Sequence, residues 1–271
     1  SLDINPQNTD ALYHKGVALA TIGKHTEALV CFDHVLQLAP TNFDAICRKA
    51  TTLAVLSRHK EALHYFDRAL KISPNDIQVL VSKAISLYEI DNYEETISNL
   101  NFVLESEPQN SYVLYYKARA LAALDKNSEA ILCYDVILAN EPTNRNVLCN
   151  KGKSLSALER YSDAVRCFDL VLEEDPNDHD SLYGKAFALD RQGLVAEAIT
   201  FYDKALKLNP SNTTALYNKG VALATIGKHT EALACFDHVL QLVPTDFDAM
   251  YYKAITLCTL SQYKDAVSYT H

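Results

Sequence analysis

Small and apolar residues recur along this chain in two alternating stripes. The first runs Leu12, Gly16, Leu19, a spacing of four then three that puts all three on one helical face. A break follows at Gly23. A second stripe then runs Ala28, Phe32, Val35, Leu36 until Pro40 closes it. Proline lacks the N–H that a helix interior needs and disfavours helix in the residue before it, so the second stripe ends there. The same succession returns with each of the eight prolines, Pro6, Pro40, Pro74, Pro108, Pro142, Pro176, Pro210 and Pro244, which stand 34 residues apart. Two residues after each proline comes Asn8, Asn42, Asp76, Asn110, Asn144, Asp178, Asn212 or Asp246, whose short side-chain oxygen suits a helix N-cap. The pattern predicts a helix, a turn, a helix and a turn in every unit. Units one and seven are near-copies: Ala11–Leu29 and Ala215–Leu233 differ only where His14 becomes Asn218.

Two columns of this array are kept small. Gly16, Ala50, Ala84, Ala118, Gly152, Ala186, Gly220 and Ala254 form one; Ala28, Ala62, Ala130, Ala164, Ala198, Ala232 and Ala266 form the other, with Thr96 as its larger exception. Small residues let paired helices approach closely, and Phe32 or Tyr134 fills the space beside them. One hairpin cannot bury both of its faces, so neighbouring units must stack. The 34-residue period, the small–small–aromatic columns and the closing proline resemble the tetratricopeptide repeat over essentially all 271 residues. That resemblance implies an all-α, right-handed α-solenoid superhelix, with first helices on the inner, concave wall and second helices outside. The array divides into 7–40, 41–74, 75–108, 109–142, 143–176, 177–210 and 211–244, after a fragment 1–6 and before a partial repeat 245–271. It departs from the family pattern in having no tryptophan; Leu12, Ile46, Leu80, Leu114, Leu148, Leu182, Leu216 and Met250 stand there instead. The third unit is the least regular, with Thr96, Leu100 and Asn101 in place of the usual Ala, aromatic and Asp.

Charge and chemistry narrow the function. A net charge of −9 argues against a general nucleic-acid or anionic-membrane binder, and no apolar run approaches membrane-spanning length. The seven cysteines include a column, Cys31, Cys133, Cys167 and Cys235, whose members in stacked repeats lie too far apart for disulfides. They read as small buried hydrophobes of a cytoplasmic, reducing compartment, with export as an effector the other reading. Neither Cys nor His shows zinc spacing, so no metal and no cofactor is expected. No nucleophile motif, phosphate loop or metalloprotease motif is present. The acids fall in repeat columns, as Glu27, Glu61 and Glu95 do at the start of second helices, where they complement the positive helix end. These observations point to a non-catalytic protein–protein interaction scaffold that binds a peptide or protein segment in its groove. The alternative is the targeting or substrate-recruiting region of a larger enzyme or secreted effector. Single-stranded RNA binding would need a basic groove, which Asp10, Asp44, Glu89, Asp180, Asp190 and Asp248 oppose.

The resemblance places the groove wall in the column Tyr13, Cys47, Val81, Tyr115, Cys149, Tyr183, Tyr217, Tyr251 and, one turn on, Val17, Thr51, Ile85, Arg119, Lys153, Phe187, Val221, Ile255. This wall is tyrosine-rich and largely apolar, which suits protein recognition. Arg119 and Lys153 interrupt it in adjacent repeats. With Tyr112, Tyr115, Tyr116, Asn146 and Asn150 they form a candidate anchor for a carboxylate, and Tyr183 and Phe187 extend the candidate wall. The competing reading leaves both cations as solvated groove charges neutralised by acids such as Asp180. Two binding modes of the family lack their residues here. The chaperone-tail clamp needs Lys in the Tyr13 column and Asn in the Val17 column, and the asparagine ladder of sugar transferases is broken in His14, Arg48, Ser82, Tyr116, Asn150, Gly184, Asn218, Tyr252. A lysine stands in every unit, from Lys15 to Lys253, where the family often has an apolar residue. The column is expected to be partly buried and paired with the aspartates Asp33, Asp67, Asp135, Asp169, Asp203 and Asp237. By repeat phase Ser1 falls just after His271, so head-to-tail self-association through the ends is a further expectation.

Overall fold

A computed structural model describes the backbone of residues 8–268 and the side chains to Ser261. Among the described residues there are fifteen α-helices and no strand. The first repeats contribute α1 (Thr9–Thr21) and α2 (His25–Leu38), α3 (Phe43–Val55) and α4 (His59–Ile72), α5 (Ile77–Tyr88) and α6 (Tyr93–Ser106), α7 (Ser111–Ala123) and α8 (Asn127–Asn140). The later ones contribute α9 (Arg145–Ala157) and α10 (Tyr161–Glu174), α11 (His179–Arg191) and α12 (Val195–Leu208), α13 (Thr213–Thr225) and α14 (His229–Leu242), then α15 (Phe247–Ser268). This is the expected fold class, an all-α solenoid of helix-turn-helix repeats.

Each first helix starts where its side chain caps it. Asn8 Oδ1 accepts from the backbone N–H of Ala11 at 2.9 Å. The same bond recurs at Asn42, Asp76, Asn110, Asn144, Asp178, Asn212 and Asp246. The turn inside each hairpin needs one residue in the left-handed region. Gly23, Gly193 and Gly227 supply it at φ near 80°, and Ser57, Asp91, Asp125 and Glu159 hold φ of 58–62° in the other units. The next N–H then reaches back to the first helix, as Lys24 to Leu19 and Arg58 to Leu53, both at 2.9 Å, which satisfies carbonyls left open at the helix end. The eighth unit differs from this expectation. Ser261 sits at the turn register but stays helical, its hydroxyl bonded to the carbonyl of Cys258, and α15 runs on without a break. In the other seven units a packed second helix offsets the left-handed residue. In α15 the described side chains are mostly exposed, Met250, Tyr251, Ile255 and Leu257 among them, so local helix propagation prevails. Residues 1–7 and 269–271, on which the end-to-end expectation rests, lie outside the described residues.

The core follows the columns. Ala28, Ala62, Ala130, Ala164, Ala198 and Ala232 are fully buried, as are Phe32, Tyr134, Phe168, Tyr202 and Phe236 beside them. A Cβ added to Gly16 or Gly220 would stand 2.7 Å from the Phe32 or Phe236 ring, so the helix spacing depends on that small column. The irregular third unit keeps the same burial with Thr96 and Leu100; the Thr96 hydroxyl donates to the Asn92 carbonyl at 2.8 Å.

The chain forms two compact units, Ser1–Ile137 and Leu138–His271. Within the first, α1 touches α3, α3 touches α5 and α5 touches α7; within the second, α9, α11, α13 and α15 touch in the same way. No second helix touches the next second helix of its unit among the described residues. In each unit the first helices are therefore the crowded, inner side.

Lysines of the invariant column tie the repeats together. Lys49 pairs with Asp33, Lys83 with Asp67 at 2.9 Å and Glu95 at 3.2 Å, Lys185 with Asp169 at 2.5 Å, Lys219 with Asp203 at 2.6 Å and Lys253 with Asp237 at 2.5 Å. In each Lys–Asp pair, the ammonium of one first helix meets the carboxylate of the preceding second helix, with the lysine stem largely covered; Glu95 lies on the second helix of Lys83's own repeat. Two lysines of the column in the first unit, Lys15 and Lys117, have no carboxylate within 4.0 Å among the described residues; for Lys117 the position of the rung's aspartate is Asn101.

Candidate functional site

In the first unit, Tyr112, Tyr115, Tyr116 and Arg119 all rise from α7. The Arg119 guanidinium lies 4.7 Å from the ring centre of Tyr88, on α5, and 5.6 and 5.8 Å from those of Tyr115 and Tyr116. The rings brace one another edge to face: Tyr88–Tyr116 at 5.9 Å, Tyr112–Tyr116 at 5.1 Å and Tyr115–Tyr116 at 5.9 Å. Tyr93, on α6, extends the cluster against Tyr88 at 5.4 Å. Burial, helped by a hydrogen bond with Tyr112, raises the Tyr116 phenol above its usual range. The hydrogen bond to Asp91 pushes Tyr93 up to about 12. Both phenols stay neutral, and the Tyr116 ring joins those of Tyr88 and Tyr115 around the cation. Arg119 has no carboxylate partner within 4.0 Å among the described residues. Tyr88 and Tyr93 were not among the residues expected from sequence. The available signal was Tyr88 itself, the one aromatic in a column otherwise filled by Ala20, Ala54, Ala122, Ser156, Asp190, Ala224 and Cys258.

In the second unit, Asn146, Asn150 and Lys153 lie along α9, and Tyr183 and Phe187 along α11. Lys153 donates to Asp180 at 2.8 Å. That hydrogen bond holds the Asp180 carboxyl below its ordinary range. Lys153 is thus ion-paired with Asp180. Asn150 donates to the Asn146 carbonyl at 2.7 Å. Asn146, Asn150 and Lys153 line an open polar cavity of about 360 Å³ whose far wall is Asp175, Asp178 and His179. Arg145 ties that wall together, 2.9 Å from Asp175 and 3.3 Å from Asp178. Tyr183 and Phe187 line a second, mostly apolar cavity of about 440 Å³, to which Lys153 also contributes. The Tyr183 hydroxyl accepts from Asn218 at 3.0 Å. Arg119 thus belongs to the first unit and Lys153 to the second, and their surroundings differ: aromatic faces around one, a carboxylate on the other.

All seven cysteines are free thiols, and burial raises Cys47 to about 11, far from the reactive range. Among the described residues no three His, Cys, Asp or Glu side chains gather as a metal site, and no helix is long and apolar enough to cross a membrane.

Tetratricopeptide repeat models match residues 81–145, 149–213 and 201–234, together more than half of the chain. The chain belongs to the tetratricopeptide repeat family. Residues 21–103 also match the model for anaphase-promoting complex, cyclosome, subunit 3. No curated protein matches the sequence. Among solved structures, a tetratricopeptide repeat protein from Parabacteroides merdae is similar at 17% identity, over 93% of this chain and 99% of that one, with a TM-score of 0.71. The C-terminal part of a TPR repeat-containing protein from Cytophaga hutchinsonii is similar at 16% identity, over 89% and 98%, with a TM-score of 0.70. YrrB, a TPR protein with an unusual peptide-binding site, is similar at 20% identity, over 70% and 97%, with a TM-score of 0.58. At these identities the likeness to tetratricopeptide repeat structures is one of fold.

Proposed function

We propose that this protein is a non-catalytic scaffold that grips a protein or peptide segment along the inner faces of its repeats. The observation that carries the reading is Arg119. Its guanidinium is positioned by three tyrosine rings and meets no carboxylate of its own unit within ion-pair distance. A cation held by ring faces keeps its N–H edges for an incoming carboxylate, and a planar guanidinium can meet one with two parallel hydrogen bonds. Tyrosine and arginine are also the side chains that dominate binding energy at protein interfaces. The peptide-binding site of YrrB, on a similar fold, lends support by analogy. The net charge of −9 disfavours nucleic acid as the partner, and seven free thiols favour a reducing compartment.

The test uses the whole chain as bait for affinity capture and mass spectrometry, beside Arg119→Ala, Arg119→Lys and Arg119→Ala with Lys153→Ala. Circular dichroism confirms that each variant folds. A specific partner should be lost with Arg119→Ala and only partly kept with Arg119→Lys, while adding Lys153→Ala changes little because that ammonium is already paired. An identical partner set for wild type and Arg119→Ala rejects the assignment.

A further inference from the structure

The groove is not equivalent from one unit to the other. In the first unit an open cavity of about 230 Å³ is lined by Val17, Thr21, His25, Arg48, Thr51 and Val55, among others. Four repeats further along, the same positions carry Lys153, Ala157, Tyr161, Gly184, Phe187 and Arg191, and the cavity there is about 440 Å³. Five replacements distinguish the two walls. Gly184 stands where Arg48 does and removes a long side chain from the wall. Its lack of a Cβ also lets the Phe168 ring settle against the backbone; an added Cβ would stand 2.5 Å from that ring. Phe187 and Tyr161 replace Thr51 and His25, so the enlarged space is bounded by aromatic surface. The two valines of the first-unit cavity, Val17 and Val55, become Lys153 and Arg191. Pockets that bury an organic group generally exceed about 300 Å³, which the second cavity does and the first does not.

The two new cations are not alike. Lys153 is taken up by Asp180 at 2.8 Å. Arg191 rests near the Phe187 ring at 5.9 Å and donates to the Tyr161 hydroxyl at 3.4 Å, with no carboxylate within 4.0 Å among the described residues. The exposed Glu159 also lines the cavity, and its charge and that of Asp190 act on Arg191 without forming an ion pair. An apolar socket with an arginine outside any ion pair at one edge is complementary to a large apolar side chain flanked by an acid on that edge.

We propose that the cavity between Tyr161, Gly184 and Phe187 is the specificity-determining subsite of the groove. It takes one bulky aromatic or aliphatic side chain of a partner segment, whose neighbouring aspartate or glutamate meets Arg191. This rests on the groove-binding reading above and adds to it the chemistry of the bound segment. Arg191 is the residue that sets the acidic flank; Gly184 and Phe187 set the size and character of the socket.

The probe is a displayed library of random peptides, panned on the full chain. One selected peptide is then titrated by fluorescence anisotropy against the wild type, Phe187→Thr and Arg191→Val. Both substitutions install the residue that the first unit carries at the matching position, so the fold accommodates them. Selected peptides should share a bulky apolar residue beside an acid. Phe187→Thr should weaken binding about tenfold or more, as loss of an interface anchor does. Arg191→Val should weaken it less and abolish the preference for the acid. Peptides that lack this pair of residues, or that bind Phe187→Thr as well as wild type, overturn the subsite. If such peptides still respond to Arg119→Ala, the groove reading stands without it. Failure of the wild type to retain any peptide overturns both.

Discussion

Completing the Lys117 rung of the lysine ladder should stabilise the protein. In the observed rungs the lysine side chain is 12–34% exposed and its aspartate 42–55% exposed. Pairs that are half in solvent contribute about 0.2–1 kcal/mol. Lys117 is likewise half-buried, and Asn101 occupies the aspartate position. Asn101→Asp changes little in helix propensity and lies short of the last turn of α6, so the helix dipole hardly opposes it. The new carboxylate would stand four residues before Glu105, a like-charge spacing that costs about 0.2–0.5 kcal/mol. The net expectation lies between about −0.3 and +0.8 kcal/mol and centres on a small gain of about 0.25 kcal/mol, or under about 1 °C in melting temperature. Repeat arrays need not unfold in one step, so amide hydrogen exchange across α6 and α7 is the more direct assay. The deciding measurement is a double-mutant cycle with Lys117→Met, which isolates the pair from the Glu105 repulsion. A coupling energy of zero within about 0.2 kcal/mol would show that the ladder is a by-product of stacking, and the reasoning would be wrong.

Two further outcomes follow from the same structure. Ser57 holds φ of 58° where three other units use glycine, so Ser57→Gly should relieve left-handed strain and stabilise by about 0.5 kcal/mol, read as a raised urea midpoint with unchanged slope. Asp180 has a folded pKa held below its usual 3.8 by Lys153, so its contribution is present above that value and lost as pH falls through the lowered one. With the carboxylate 59% exposed, Asp180→Asn should cost under about 1 kcal/mol at pH 7. The difference from wild type should shrink as pH falls below 3.8 and vanish once the carboxyl is protonated in the folded state, and a difference that persists there would point to packing instead.

What the sequence determined here is whatever repeats. The helices, their Asx caps, the small columns and the partner of each ladder lysine recur at a fixed interval. Each depends on a local or nearest-neighbour contact that is the same in every unit, so reading one unit reads them all. Asn101 shows the limit of that regularity and was visible as an irregularity in the third unit. The tertiary structure decided whatever depends on how unlike side chains meet across repeats. Arg119 and Lys153 occupy the same column and looked equivalent, yet Tyr88 from α5 turns one into a ring-held cation and Asp180 from α11 neutralises the other. Gly184 read only as a gap in an asparagine column; its meaning came from the Phe168 ring packed against it. The unbroken α15 likewise had a turn register in its sequence, at Ser261, without the packed second helix that would have made the turn favourable. Periodicity reports the average surroundings of a column, while charge pairing, ring stacking and cavity volume are set by the particular neighbours each member meets once the helices are stacked.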